Sequence, residues 1–470
     1  MKKAVAMILA MLISAFLVAC GKQMPETPPA DSEQTDTGGY LDRLPKNNTG
    51  YTELRAVAFE TNCISREVPD EASEVDRSLC LRDEAVRRRY GIDIRYTSVT
   101  AKTAVDAMRR SVKSGDNTFN VFLYQAQELM MLATEGCLQN LSGIRYLDLT
   151  QDWYNRSLNR NLTLQGRLYC TAGQYSQWYF GAPICMVYNK TVMTDYGIPD
   201  IDELAESGDW TLETLTRICT DSNITADTDQ NGVMDVRDTY MITAYTPALY
   251  GLFASAGGHF SVLNEETGAV TLNITDSASI SRLDAIIGAF HSGTTFYSDA
   301  IKDAEDVFAG GRALFFYAPL GFAADLINVS FDYGIVQSPK LNSMQKEYIS
   351  CANPQSNFCF GVPLGLAQEE TDFVGLIMEA YNYLSSEMVK PAKYDTFMKF
   401  RVADDPKSSA RLDQMFDALY FDMNLVMDFG KTRTLINQTI FNETTNRFVS
   451  SVKASQSLID EDIKALLGTK

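Results

Sequence analysis

An α/β fold of more than one domain is predicted by three features of the sequence. Apolar runs of strand length alternate with helix-period segments from residue 54 to Gly136. The chain has 470 residues, 45% of them hydrophobic, so about 420 remain for a large core once a polar N-terminal stretch is set aside. Nothing in that remainder reads as an internal linker or a fixed repeat, which fits domains that exchange chain segments better than separate beads.

The first element is an export segment. Lys2 and Lys3 precede an apolar run over residues 4–19 that ends at Cys20, too short for the roughly 20 residues a spanning helix needs. Leu17-Val18-Ala19-Cys20-Gly21 resembles the bacterial lipobox, and that resemblance implies lipidation of Cys20 and a signal peptide over residues 1–19. Residues 20–43 are rich in Pro, Thr, Asp, Glu and Gln and predict a flexible tether.

The folded elements follow in order. Residues 54–59 (LRAVAF) form a strand-length run, followed by a polar, Pro-containing loop. A helix is expected over residues 79–90 with Gly91 at its end, and then a strand over 92–99. A second helix over 103–113 stops near Gly115 and leads to a strand over 119–124. A third helix, 127–135, is closed by Gly136. Strands alternating with helices imply a parallel sheet covered on its faces.

Composition excludes several functions. The formal charge of −19 becomes −21 without Lys2 and Lys3, with 39 basic residues against 60 acidic ones. Such a surface repels phosphate backbones, so no nucleic-acid partner is expected. The sequence lacks a G-x-x-x-x-G-K-S/T loop, a G-x-S-x-G elbow and an H-E-x-x-H helix, so no catalytic cofactor and no enzyme activity are expected. A catalytic triad would have to use His259 or His291, whose contexts suit surface or packing roles. A glycosidase needs only two carboxylates, and that reading stays as an alternative, as does a surface adhesin. Setting Cys20 aside leaves eight cysteines. Cys351 and Cys359, close in sequence across a turn-like segment, are the best disulfide pair, against the reading of free thiols.

One local motif points to a metal. Asp227, Asp229, Asn231, Asp235 and Asp238 place oxygen side chains at positions 1, 3, 5, 9 and 12 of a loop with Gly232 at position 6. This is calcium-loop spacing, with the Val233 carbonyl as a further ligand. Asp at position 12 reaches less far than Glu. The expected role is structural, because the ligands fill the ion's shell.

Seven fragments in order carry a wider resemblance. Residues 119–124 with 132–141, Gly166-Arg167-Leu168-Tyr169, Val187-Tyr188-Asn189-Lys190 and Gly197-Ile198-Pro199 come first. Residues 210–215, residues 308–314, and Tyr333-Gly334-Ile335-Val336 with Pro339 follow. Together they resemble the extracellular solute-binding proteins of carbohydrate ABC importers, the maltose-binding type. The resemblance implies a monomeric, two-lobe periplasmic-binding-protein-like fold with a hinge and an interlobe ligand cleft. Lobe 1 would comprise 44–181 and 340–402, and lobe 2 would comprise 182–339 and 403–470. It further implies a sugar or oligosaccharide ligand, permease partners and a membrane-anchored, extracytoplasmic location. Closure would bury sugar ring faces on aromatics and hydroxyls on amides. The expected contact residues are Tyr124, Gln127, Tyr175, Gln177, Trp178, Tyr179, Tyr250, Tyr317, Phe358 and Phe421. Leu320 stands after Ala318-Pro319 where relatives commonly place a Trp.

Overall fold

The computed structural model describes residues 39–58, 72–222, 224, 226–264, 267–355, 357–403 and 405–468. The export segment, Cys20 and most of the expected tether lie outside the described residues. The tether's last residues, Tyr40–Arg43, form a 3₁₀ turn. No described helix is long and apolar enough to cross a membrane.

Fourteen strands are described: β1 (Glu53–Ala58), β2 (Asp93–Ser98), β3 (Val121–Gln125), β4 (Thr171–Ala172), β5 (Ile184–Asn189), β6 (Tyr240–Tyr245), β7 (Val262–Leu263), β8 (Val270–Thr271), β9 (Thr295–Ser298), β10 (Ala313–Pro319), β11 (Tyr333–Gln337), β12 (Ser350–Cys351), β13 (Phe358–Gly361) and β14 (Leu419–Tyr420). Two five-stranded sheets hold ten of them. The first has the order β2-β1-β3-β13-β4 and the second β11-β5-β10-β6-β9. Short ladders pair β12 with β14 and β7 with β8.

The early elements match the sequence pattern closely. The helix Glu74–Tyr90 starts five residues before the apolar pattern does, because Ser73 and Asp76 close a capping box around its first turn. Gly91 ends it at φ 63°, a left-handed position that suits glycine. The helices Ala101–Ser114 and Ala126–Thr134 follow β2 and β3 as expected.

The sheets are not purely parallel. β1 runs parallel to β2 and β3, and β6 runs parallel to β9 and β10. β5 is antiparallel to β10 and β11, and β13 is antiparallel to β3 and β4. The reason is where the chain enters. β5 begins opposite Pro319, where β10 ends, and β13 begins opposite Gln125, where β3 ends. A strand entering at the edge where its neighbours finish must run against them.

β10 is buried along its whole length, as a strand covered on both faces must be. At the first passage between the sheets, a side chain built on Gly181 would begin 2.9 Å from the Gly321 Cα. Two backbones touch there, and glycine is what permits it.

Candidate functional site

The ring and amide side chains gather where the strands of the first sheet end. Tyr124 lies at the end of β3, so Gln127 and Glu128 fall in the first turn of the helix Ala126–Thr134. Phe358 pairs with Gln125 across β3 and β13, and Gln125 Nε2 donates to the Gln355 carbonyl at 2.9 Å. Trp178 stands in the 3₁₀ segment Gln177–Gly181, its ring 6.5 Å from that of Phe358 and tilted by 48°. Gln177, Trp178 and Tyr179 are half-buried, so the indole keeps accessible surface.

The preceding backbone is firmly held. Arg82, fully buried and paired with Asp83 at 2.8 Å, donates to the Tyr175 carbonyl at 2.7 Å and to Ser385 Oγ at 3.1 Å. Asn382 Oδ1 accepts the Tyr175 N–H at 3.2 Å. A side chain on Gly173 would begin 2.1 Å from that same oxygen.

A second group meets the first. Gln127 Nε2 donates to the Met427 carbonyl at 3.1 Å. The Tyr250 hydroxyl donates to Asn353 Oδ1 at 3.2 Å, and the Tyr250 N–H donates to Asn437 Oδ1 at 2.6 Å. The Arg433 guanidinium lies 5.5 Å from the Tyr250 ring centre, donates to the Leu425 carbonyl at 2.8 Å and faces Asp428 at 3.7 Å. Glu128 Oε2 is buried without a hydrogen-bond partner among the described residues. Burial pushes the Glu128 carboxyl above the usual range, and the Arg433 charge opposes that rise. Burial and the Glu128 charge push the Tyr124 phenol up to about 12.

The structure thus places Trp178 beside Phe358, and separately places Tyr124 and Tyr250 around the Glu128 and Arg433 charges. Four expected contact residues point elsewhere. Tyr175 packs edge-on against Phe360 at 5.9 Å and is 1% exposed. Tyr317 packs 5.6 Å from Phe290 inside the doubly covered β10. Phe421 is wholly enclosed in the same core. Tyr179 stacks on Phe416 at 6.1 Å. Their rings are used for packing, which aromatic content alone does not distinguish from ligand contact. Tyr124 and Tyr250 are enclosed in that core as well, at 2% and 3% exposed, with Tyr250 edge-on to Phe260 at 6.3 Å. Glu128, Asn353 and Arg433, which stand next to Tyr124 and Tyr250, were not among the expected contacts. Glu128 was findable as the residue after Gln127, whereas Asn353 and Arg433 arrive only through tertiary folding.

The acidic loop takes a tight form. Asp227 accepts the N–H groups of Asn231 at 3.2 Å and Gly232 at 2.7 Å, with Gly232 at φ 79°. Asp229 accepts from the Asn231 N–H at 3.2 Å, and Asn231 Oδ1 accepts from the Val233 N–H at 2.7 Å. Asp238 accepts the N–H groups of Thr228 and Asp235, each at 2.8 Å. Carboxylate oxygens of Asp227, Asp229 and Asp238 lie within 4.8 Å of one another, a set of hard oxygen donors suited to calcium. Arg237 pairs with Asp235 at 2.6 Å, which holds that carboxyl down to about 2, and with Asp229 at 3.1 Å.

Cys351 and Cys359 do not bond. Both are buried free thiols, as are Cys137, Cys170, Cys185 and Cys219. β12 carries Cys351 against β14, while β13 carries Cys359 between β3 and β4, so closeness in sequence is not closeness in space.

A family model described as "Bacterial extracellular solute-binding protein" matches residues 83–342. Similar solved structures include the cyclic α-maltosyl-1,6-maltose binding protein from Arthrobacter globiformis. It is 14% identical with a TM-score of 0.61, over 88% of this chain and 100% of that one. An ABC substrate-binding protein from Listeria monocytogenes in complex with cycloalternan is 14% identical with a TM-score of 0.56, over 89% and 100% of the two chains. The GacH receptor of Streptomyces glaucescens, solved unliganded and with acarbose, is 13% identical with a TM-score of 0.56, over 89% and 100%. At these identities the likeness shows the α/β two-lobe fold. None of the curated proteins matches the chain.

Proposed function

The chain belongs to the bacterial extracellular solute-binding protein family, and on that premise we propose that it captures a sugar or oligosaccharide between two lobes and delivers it to the permease of an ABC importer. The observation that carries this reading is the half-buried Trp178 beside Phe358 in the segment Gln177–Gly181, where the chain passes from the first sheet to the second. An accessible ring next to amide-bearing residues such as Gln177 suits the apolar faces and hydroxyls of a polyhydroxylated ligand. The carbohydrate ligands in the neighbours' descriptions support the same class. In this reading lobe 1 is 44–181 plus 340–402, lobe 2 is 182–339 plus 403–470, and the protein acts as a binding protein without catalysis.

Two attachments complete the proposal. Lipidated Cys20 tethers the protein to the outer face of the membrane, on the strength of the lipobox-like sequence. The loop 227–238 holds a structural calcium through Asp227, Asp229, Asn231, Val233 and Asp238, supported by the convergent carboxylates.

The function is tested by stripping the purified protein of ligand and titrating linear and cyclic glucans and sugar alcohols calorimetrically. Saturable binding is expected, with the sugar recovered intact by mass spectrometry and the radius of gyration falling at saturation as the lobes close. Cleaved sugar would establish the glycosidase alternative. Absence of binding to every glycan class would leave the adhesin reading and sink this one.

A further inference from the structure

Apart from the ring cluster, a cavity of about 1350 Å³ lies among the helix Arg156–Leu162, the end of the helix Ile201–Ser207, β7, the loop after β11 and β14. None of the ten contact residues expected from the sequence lines it. Exposed charges of both signs stand around it, where solvent screens them. Its buried wall decides its chemistry: Ser261, Gln337, Lys340, Arg411 and Asp422.

That wall is cationic in effect. Asp422 is already engaged, accepting from the N–H groups of Phe260 at 2.8 Å, Ser261 at 3.1 Å and Leu425 at 2.6 Å, from Ser261 Oγ at 3.2 Å, and from the Tyr420 hydroxyl. Lys340 is 3% exposed and forms no ion pair among the described residues. Its backbone is pinned to Trp210 at 3.1 Å and Leu212 at 2.8 Å. Its ammonium lies 4.9 Å from the Tyr348 ring centre and 3.2 Å from where a side chain on Gly208 would begin. Arg411, 5% exposed, spends its two terminal nitrogens on Gln414 at 2.8 Å and the Asp202 carbonyl at 3.2 Å. Its nearest carboxylate, Glu206, is exposed and 3.6 Å away. Gln337 Nε2 donates to Gln414 at 2.9 Å, while Gln337 Oε1 is buried without a donor.

A buried ammonium lacking a counter-charge is costly, and the natural relief is an anion. The space exceeds the roughly 300–1,000 Å³ of ordinary ligand pockets, so an inorganic ion would leave it nearly empty. The orphaned Gln337 acceptor asks for a hydroxyl donor. We propose that this cavity is a second ligand site for a hydroxylated organic anion, with the charged head on Lys340 and Arg411 and a hydroxyl on Gln337.

Calorimetric titration with glucuronate and with glucose 6-phosphate, at matched ionic strength and with glucose as neutral control, tests this and separates carboxylate from phosphate recognition. Saturable binding of one or both acids is expected. Lys340→Met should weaken it by about tenfold or more, the worth of a charge-assisted bond, while Lys340→Arg retains it. On the wild-type protein, the bound acid should slow hydrogen exchange in segments 337–349 and 406–417, a readout independent of whether Lys340→Met folds. Binding no better than glucose, undiminished binding in folded Lys340→Met, or exchange slowed only at 124–128 and 174–179 would overturn the proposal.

Discussion

Trp178 and Tyr317 show how differently two aromatic residues are used. Trp178 is half-buried beside Phe358, whereas Tyr317 is enclosed against Phe290. Trp178→Ala should therefore weaken sugar binding by about 2–4 kcal/mol, as a partly desolvated aromatic anchor does, with a smaller loss of stability. Tyr317→Ala should instead cost about 3–5 kcal/mol of folding stability, in line with large-to-small core changes. Denaturant unfolding and calorimetry on both variants check this, and equal binding in Trp178→Ala and wild type would remove the indole from the site. The positions of Tyr124, Gln127 and Trp178 were legible, at the end of a strand, in the first turn of the next helix and in the run of rings before β5. Tyr317 packs inside β10, and a continuous apolar strand does not reveal that both its faces are covered, while Phe421 is enclosed just after β14. Arg433 and Asn353 could not be read at all, since their meeting at Tyr250 depends on the fold.

At the scale of elements, glycine and capping signals carried the prediction. Gly91 and Gly115 cap helices in left-handed conformations, and Gly136 takes φ 70° just beyond the next helix. The direction of β5 and β13 was not legible, because periodicity reports which face is buried and not which end of a sheet the chain enters. The loop 227–238 was legible by spacing, but the turn of Asp235 towards Arg237 was not. If the loop holds calcium, a chelator should lower the melting temperature by several degrees, since a ligand at about 100 times its Kd adds roughly 2.7 kcal/mol. Asp227→Ala with Asp229→Ala should abolish that sensitivity. Superimposed wild-type melting curves with calcium and with chelator would mean that no ion contributes.

At the scale of the molecule, the tethered arrangement makes anchoring and binding separable. Cys20→Ser should release the protein from the membrane fraction and leave sugar affinity unchanged. A variant that stays in the membrane pellet at high salt would refute the lipid anchor. The two-lobe fold was legible because seven fragments kept their order along the chain, although each is weak alone.

The late return of β13 into the first sheet sets an order of assembly. β4 joins that sheet only through β13, and β3 keeps an open edge until β13 arrives. The first sheet therefore cannot be completed until residue 361 of 470 has been synthesised. The second sheet draws all its strands from the uninterrupted stretch 184–337. Domains generally fold as units, the N-terminal one first, but here the later sheet is the first that can close. During that interval the edge of β3 is an unpaired template for wrong partners. Until β13 arrives the chain is most exposed to aggregation, and a chaperone has the most to protect.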